Sequence, residues 1–391
     1  MPTKKISPSH KVRFLKNKFK SLRRRTKIFL TLILVFILFL SAVPFIGLKI
    51  ACPLISDVSI ENLITNKMTK RNNLGIEGYN RPEESTYLTF PEWHLVYIPE
   101  EYANWIENKK PSMFPYFSSI SQFWTGYCNV YEITKKQYGF NIGNHFMLWV
   151  IGTSSSVEYG IKGLYENTLG RFTEWMSSYQ KTEEDQFAYK FNKDYADFLY
   201  DTPWYEFSFA NKFGELWKGT DILGPNILRK LERRNILSLE LGVKTIYGGF
   251  IKLGTRLIYG KAPLEIYASV ENFSDDLFVK YPKIEKVSEL DNNTYIIKIP
   301  RYRMFTEIIP KLSKDGVHFI DIAGNDEIFL TIIAPRNWDY DLEEGRPLFS
   351  MEILTNANLK RIGVGVPVKF LNKILTTLEE QGIKIEHIYD Y

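Results

Sequence analysis

Hydrophobic positions follow three different patterns along the chain. Ile28–Leu48 is a run of 21 residues without a charge. From Tyr87 to about Leu264 apolar residues recur every three or four positions. From Tyr295 onward they come in short runs broken by Gly, Asn and Asp. In order, these patterns predict a membrane-crossing helix, a helical domain and a mixed domain of strands and helices. The fold class expected is α+β, with boundaries at 1–27 for a tail, 28–48 for a transmembrane helix, 49–84 for a linker, 85–285 for the helical domain and 292–391 for the last domain.

Within the helical domain Thr182-Glu183-Glu184-Asp185 resembles a capping box, and Phe187, Phe191, Tyr195 and Phe198 continue one helix face until Pro203. Pro225 opens another helix. There Ile236, Leu239, Val243, Ile246, Phe250, Leu253 and Leu257 alternate by three and four, a seam that must meet something apolar. Gly242, Gly248, Gly249 and Gly254 lie in the same run, and Gly152, Ser156 and Gly160 form a second small-residue stripe. Close helix packing is the usual reason for such residues. Two readings stay open. One is a tight soluble bundle; in the other, 145–161 and 236–258 lie at a membrane surface.

The final hundred residues read as a strand at Tyr295–Pro300, a helix at Tyr302–Ser313 and strands at Val317–Ala323 and Glu327–Ala334. A hairpin turn at Gly324-Asn325-Asp326 joins the last two. A strand at Ile362–Val366, a helix at Pro367–Glu380 and a strand at Ile383–Tyr389 follow. The stretch Ile308–Phe319 is echoed by Ile374–Ile385, each a helix, a Gly and a strand. Two such units make one ferredoxin-like sandwich with an extra hairpin strand.

Charge fixes the orientation of the first helix. Residues 1–27 hold eleven Lys and Arg and no acid. Cations after the apolar run are sparse, so the N-terminus belongs in the cytoplasm and the body across the membrane. A cleaved signal peptide would need a shorter apolar core and a better site than Ser41-Ala42-Val43 followed by Pro44. A lipoprotein at Cys52 would need an apolar residue where Lys49 stands. The whole chain has 50 Lys and Arg against 45 Asp and Glu; without the tail's eleven the balance is 39 to 45, a net of −6. The body therefore lacks the basic surface of a nucleic-acid binder. Cys52 and Cys128 could pair outside the cytoplasm, but with no framework of bridges the sequence favours two unpaired thiols.

Motifs for dinucleotides, phosphates, zinc peptidases or serine hydrolases are absent, and no cofactor is implied. One polar constellation remains: Glu92, His94, His145 and Glu158. Two His and two Glu amid apolar residues can hold a metal or trade protons. Against that, Glu158, Lys162 and Glu166 at spacing four read as an ion-pair ladder on one helix. The tryptophans, seven of eight of which fall between Trp93 and Trp217, read as core or as the lining of a lipid or sugar groove.

Thr86–Tyr97, Val157–Thr168 and the closing Glu386–Tyr391 resemble segments of a family of uncharacterised bacterial membrane-anchored proteins. The resemblance runs from about residue 80 to the end and implies a bacterial source and no particular activity. The unit ending at Tyr389 also resembles the closing half of an ACT-type regulatory domain, with Pro300-Arg301-Tyr302 where that family carries its ligand-binding glycine loop.

These readings converge on a single-pass inner-membrane protein of the bacterial envelope. Its helical domain would bind lipid or a membrane partner, without catalysis, and self-association is a further expectation. The competing expectation is a membrane-bound enzyme acting on a lipid or envelope precursor through Glu92, His94, His145 and Glu158. If the seam from Ile236 to Leu257 is exposed, it is available to a partner; if buried, it is core.

Overall fold

The computed structural model of this chain describes residues 40–54, 75–138, 140–258, 264–290 and 293–390, together with Lys27, Thr31 and Leu38. The basic tail, most of Ile28–Leu48 and much of the 49–84 linker lie outside the described residues. The protein is α+β, a helical half followed by two four-stranded antiparallel sheets.

The helical half contains α1 (Glu84–Asn108), α2 (Tyr116–Gln137), α3 (Ile142–Tyr165), α4 (Arg171–Met176), α5 (Glu183–Leu199), α6 (Phe209–Gly219) and α7 (Ile227–Ile258). A π-helical turn, Glu166–Gly170, joins α3 to α4. The capping box forms as the sequence predicts: Thr182 Oγ1 accepts from the Asp185 N–H, and Asp185 accepts from the Thr182 N–H. Small residues bring α3 onto α2. A Cβ on Gly152 would strike the rings of Phe123 and Trp124, and the Ser156 hydroxyl accepts from Trp124 Nε1 at 3.0 Å. On α7 only Gly248 plays that part, with the Trp204 ring 3.3 Å from where its Cβ would be; nothing lies near Gly242, Gly249 or Gly254.

The strands begin earlier than predicted. The elements are β1 (Glu265–Glu271), α8 (Asp275–Lys280), β2 (Glu285–Leu290), β3 (Thr294–Pro300), α9 (Arg303–Lys314), β4 (His318–Ile322), β5 (Glu327–Pro335), β6 (Arg346–Glu352), β7 (Leu359–Pro367), α10 (Leu371–Glu380) and β8 (Lys384–Ile388). The expectation of one sandwich with an extra hairpin is corrected. The first sheet runs β2-β3-β1-β4 and the second β6-β7-β5-β8, the same order used twice. The first has the complete strand-helix-strand-strand-helix-strand order of a ferredoxin-like unit. In the second, residues 336–345 replace the first helix. The echo between 308–319 and 374–385 is the closing half of each unit, with Gly316 (φ 83°) and Gly382 (φ 67°) at the helix ends. Gly324-Asn325-Asp326 is not a hairpin turn between paired strands, because β4 and β5 belong to different sheets.

Alternation within β5 shows how the layers stack. Ile328, Leu330, Ile332 and Ala334 join α9, α10 and the first sheet in one core. Phe329, on the opposite face, joins Phe349 and Tyr389 against Tyr87, Phe90, Trp93 and Tyr97 of α1. Gly363 leaves room for that packing, since a Cβ there would meet the Phe349 and Phe329 rings. Thr86 pins the start of α1 to the sheet: its hydroxyl donates to the Tyr389 carbonyl and accepts from the Phe329 N–H, both at 3.0 Å.

Candidate functional site

The four polar residues singled out in the sequence do not come together. His94 sits inside the α1–sheet interface, edge-on to Phe90, Tyr97 and Phe123, and neither ring nitrogen has a hydrogen-bond partner among the described residues. Burial, helped by the Arg361 charge, pushes its pKa down to about 3, so it is a neutral core ring. Glu92 points the other way on the same helix. Solvent reaches it, yet the surrounding protein pushes its carboxyl up to about 7, with Arg301 pulling back. His145 lies between α2 and α3, where its Nδ1 meets the Tyr127 hydroxyl at 2.9 Å and its ring stacks on Phe140. Glu158 pairs with Lys244 of α7 at 2.8 Å. No partner is shared among the four. No group of three or more His, Cys, Asp or Glu among the described residues is placed to hold a metal.

The predicted ladder on α3 is also corrected. Glu158, Lys162 and Glu166 pair across to α7 rather than along their own helix: with Lys244, with Glu240 at 3.2 Å and with Arg233. The ionic contact continues at the start of α7. There Arg229 bonds Asp185 at 2.8 Å, Lys230 bonds Glu183 at 2.8 Å and Arg234 bonds Glu184 at 2.8 Å. The Thr173 hydroxyl of α4 donates to the Glu232 carboxylate at 3.0 Å. The sequence reading missed this network. Its signal was Arg229-Lys230-Leu231-Glu232-Arg233-Arg234, four cations in six residues on a helix that also carries an apolar seam.

That network turns α7 inside out relative to a helix of a water-soluble bundle. Between Ile227 and Gly254 every charged side chain is buried or half-buried, and every exposed residue is uncharged. The predicted seam points outward: Ile236 is partly covered, but Leu239, Val243, Ile246 (66 % exposed), Phe250 (70 %) and Leu253 are not. The side chain of Leu257 lies outside the described residues. α3 runs antiparallel beside α7 and behaves the same way. Its exposed positions include Ile142, Phe146, Val150, Ile161 and Leu164, and none is charged. Leu169, Phe172, Trp175 and Met176 carry the surface on past the π-helical turn. An apolar surface of this extent on a monomer marks a place where something other than water sits.

No family model, curated protein or solved structure matches this chain.

The described end of the N-terminal helix joins the same surface. Residues 40–51 are helical and pack on α2 and α3: Gly47 lies against the Trp124 ring, and the Phe45 ring meets Trp149 at 6.1 Å. Cys52 and Cys128 form a disulfide, with Cα atoms 5.3 Å apart, which corrects the expectation of two unpaired thiols. Phe45, Ile46 and Ile50 remain exposed on the outer side of this helix. At the far end of the surface Arg171, Phe172, Trp175 and Tyr179 line a shallow depression with Thr168, and Lys110 caps the Tyr179 ring at 3.2 Å. No helix among the described residues is long and apolar enough to cross a membrane.

Proposed function

We propose that this chain is a single-pass, membrane-anchored protein of the bacterial envelope. Its N-terminus lies in the cytoplasm and its body outside. Its helical domain is a binding module for lipid or a membrane-embedded partner rather than a catalytic unit. The observation that carries this reading is the inversion of α7, with all described charges turned in and only uncharged residues turned out. Burying paired charges while exposing Leu, Ile and Phe is unfavourable in water and favourable beside hydrocarbon or an apolar partner. The enzyme alternative draws no support from the positions of Glu92, His94, His145 and Glu158, which face four different environments. The two stacked sheets give the module a rigid extracytoplasmic support, and association through them is part of the proposal.

The test is topology and attachment. A reporter active only outside the cytoplasm, fused after Tyr391, should be active, and the full chain should stay with vesicles through alkaline extraction. A cytosolic C-terminus, or release by alkali, overturns the reading.

A further inference from the structure

Resting on that reading, we propose that the outward face of α3 and α7 is seated in the phospholipid leaflet on the body's side of the membrane, with acyl chains as its occupant. Two observations carry this.

The first is continuity with the anchor. The predicted span ends at Leu48, and its last nine residues, 40–48, lie in the helix that packs on α2 and α3. Nine residues of helix measure ~13 Å, close to the depth of one leaflet of a ~30 Å hydrocarbon core. Gly47 faces Trp124 and Cys52 bonds Cys128, so this helix runs alongside α2 in the same direction. Gly163 faces Tyr116 while Gly152 faces Trp124, so α3 runs antiparallel to both. The end of the span therefore lies beside α3 rather than above it, and Trp149, against Phe45, sits at the span's own depth.

The second is the direction of the charges. Lys162, Glu240 and Lys244 are paired with one another between α3 and α7 and largely covered, and Glu158, 41 % exposed, is held by Lys244 at 2.8 Å. Ionisable groups at membrane depth adopt this arrangement: they pair and face the protein interior. It also explains why neither helix passes as a span on its own. The charges lower the average hydropathy of each helix while staying paired.

A soluble partner is a poor fit, because the surface includes the outer side of the anchor helix at Phe45 and Ile46.

The experiment uses the full chain in phosphatidylcholine–phosphatidylglycerol vesicles. Both native cysteines are disulfide-bonded, so an environment-sensitive fluorophore can be placed on single introduced thiols in V243C, F250C and, as a control on α8, V279C. Quenching by nitroxide-labelled lipid is compared with quenching by aqueous iodide. The expected result is at least about two-fold stronger lipid quenching at 243 and 250 than at 279, with iodide showing the reverse order. Iodide access at 243 and 250 equal to that at 279 overturns the proposal. Protection from both quenchers that depends on the protein-to-lipid ratio also overturns it, assigning the face to a second copy while leaving the binding-module reading intact. Failure of the full chain to stay with the vesicles removes both.

Discussion

Arg233 and Glu166 meet as a two-pronged pair, with Nη1 donating to Oε1 at 2.8 Å and Nη2 to Oε2 at 2.5 Å. The side chains are 3 % and 1 % exposed. The pair locks the π-helical turn after α3 onto α7. Gly170 permits it, since a Cβ there would press on the Glu166 carboxylate. Removing one partner strands a buried charge, and such changes are strongly destabilising, by about 3–5 kcal/mol. Arg233→Met alone should therefore lower the unfolding free energy in detergent by that order. Arg233→Met with Glu166→Leu should recover most of the loss, because no charge is then left unpaired. Chemical unfolding followed by tryptophan fluorescence reads both. Equal losses in the single and double variants would show that the pair does not act as a unit.

The Cys52–Cys128 bridge closes a loop across 76 positions and fixes the helix of residues 40–51 to α2. Purified without reductant and denatured, the chain should titrate no thiols before reduction and two after it. Cys52→Ser should lower stability by about 2–4 kcal/mol, the usual range for losing such a cross-link. It should also open the helix of residues 40–51 to protease sooner than the rest of the body. Two free thiols in the unreduced protein would contradict the pairing.

Local signals in the sequence were reliable where the physics is local. The capping box at Thr182, the helix ends at Gly316 and Gly382, and the strand that became β7 each depend on residues a few positions apart. The periodicity of Ile236, Leu239, Val243, Ile246, Phe250 and Leu253 correctly marked one helix face. Periodicity carries no direction, however. Only the positions of Glu166, Asp185 and Glu240, brought in from other helices or turned toward them, show that the polar side is the inner one. The same limit hid the second sheet. A Gly-Asn-Asp turn looks alike whether the next strand pairs back or crosses to another layer. The weakly patterned strands at Glu265–Glu271 and Arg346–Glu352 pair with β3 and β7 at separations of 8 to 35 positions and lack a turn signal that names them. Of the candidate site, the residue types were legible and their separation was not. Glu92 and His94 are two apart on a helix, which turns them to different sides.

Buried histidine makes the fold acid-sensitive. His94 has its pKa pushed down to about 3 by burial and by Arg361, and His387, tilted against Trp93 with centroids 3.5 Å apart, is shifted well below its ordinary value by burial and by Arg301. In the unfolded chain both titrate near 6.5. Above that pH neither state takes up the proton and the full stability is present. As pH falls from about 6.5 toward 3 the unfolded chain gains protons that the folded core refuses, so stability declines. For His94 the whole swing is on the order of 5 kcal/mol at its limit. Glu92 has the opposite sign. Its carboxyl is raised to about 7, so its ionisation opposes folding as pH climbs from about 4.5 to 7, an effect weakened by its contact with solvent. His94 and His387 together therefore set the slope on the acid side. Replacing His94 with Leu keeps an apolar filling among Phe90, Tyr97 and Phe123 and removes one refused proton. Midpoints of urea unfolding between pH 4 and 7.5 should fall more steeply for the native protein than for His94→Leu, with the two curves separating below pH 6.5. Parallel curves would mean that His94 accepts its proton inside the fold and finds a partner there.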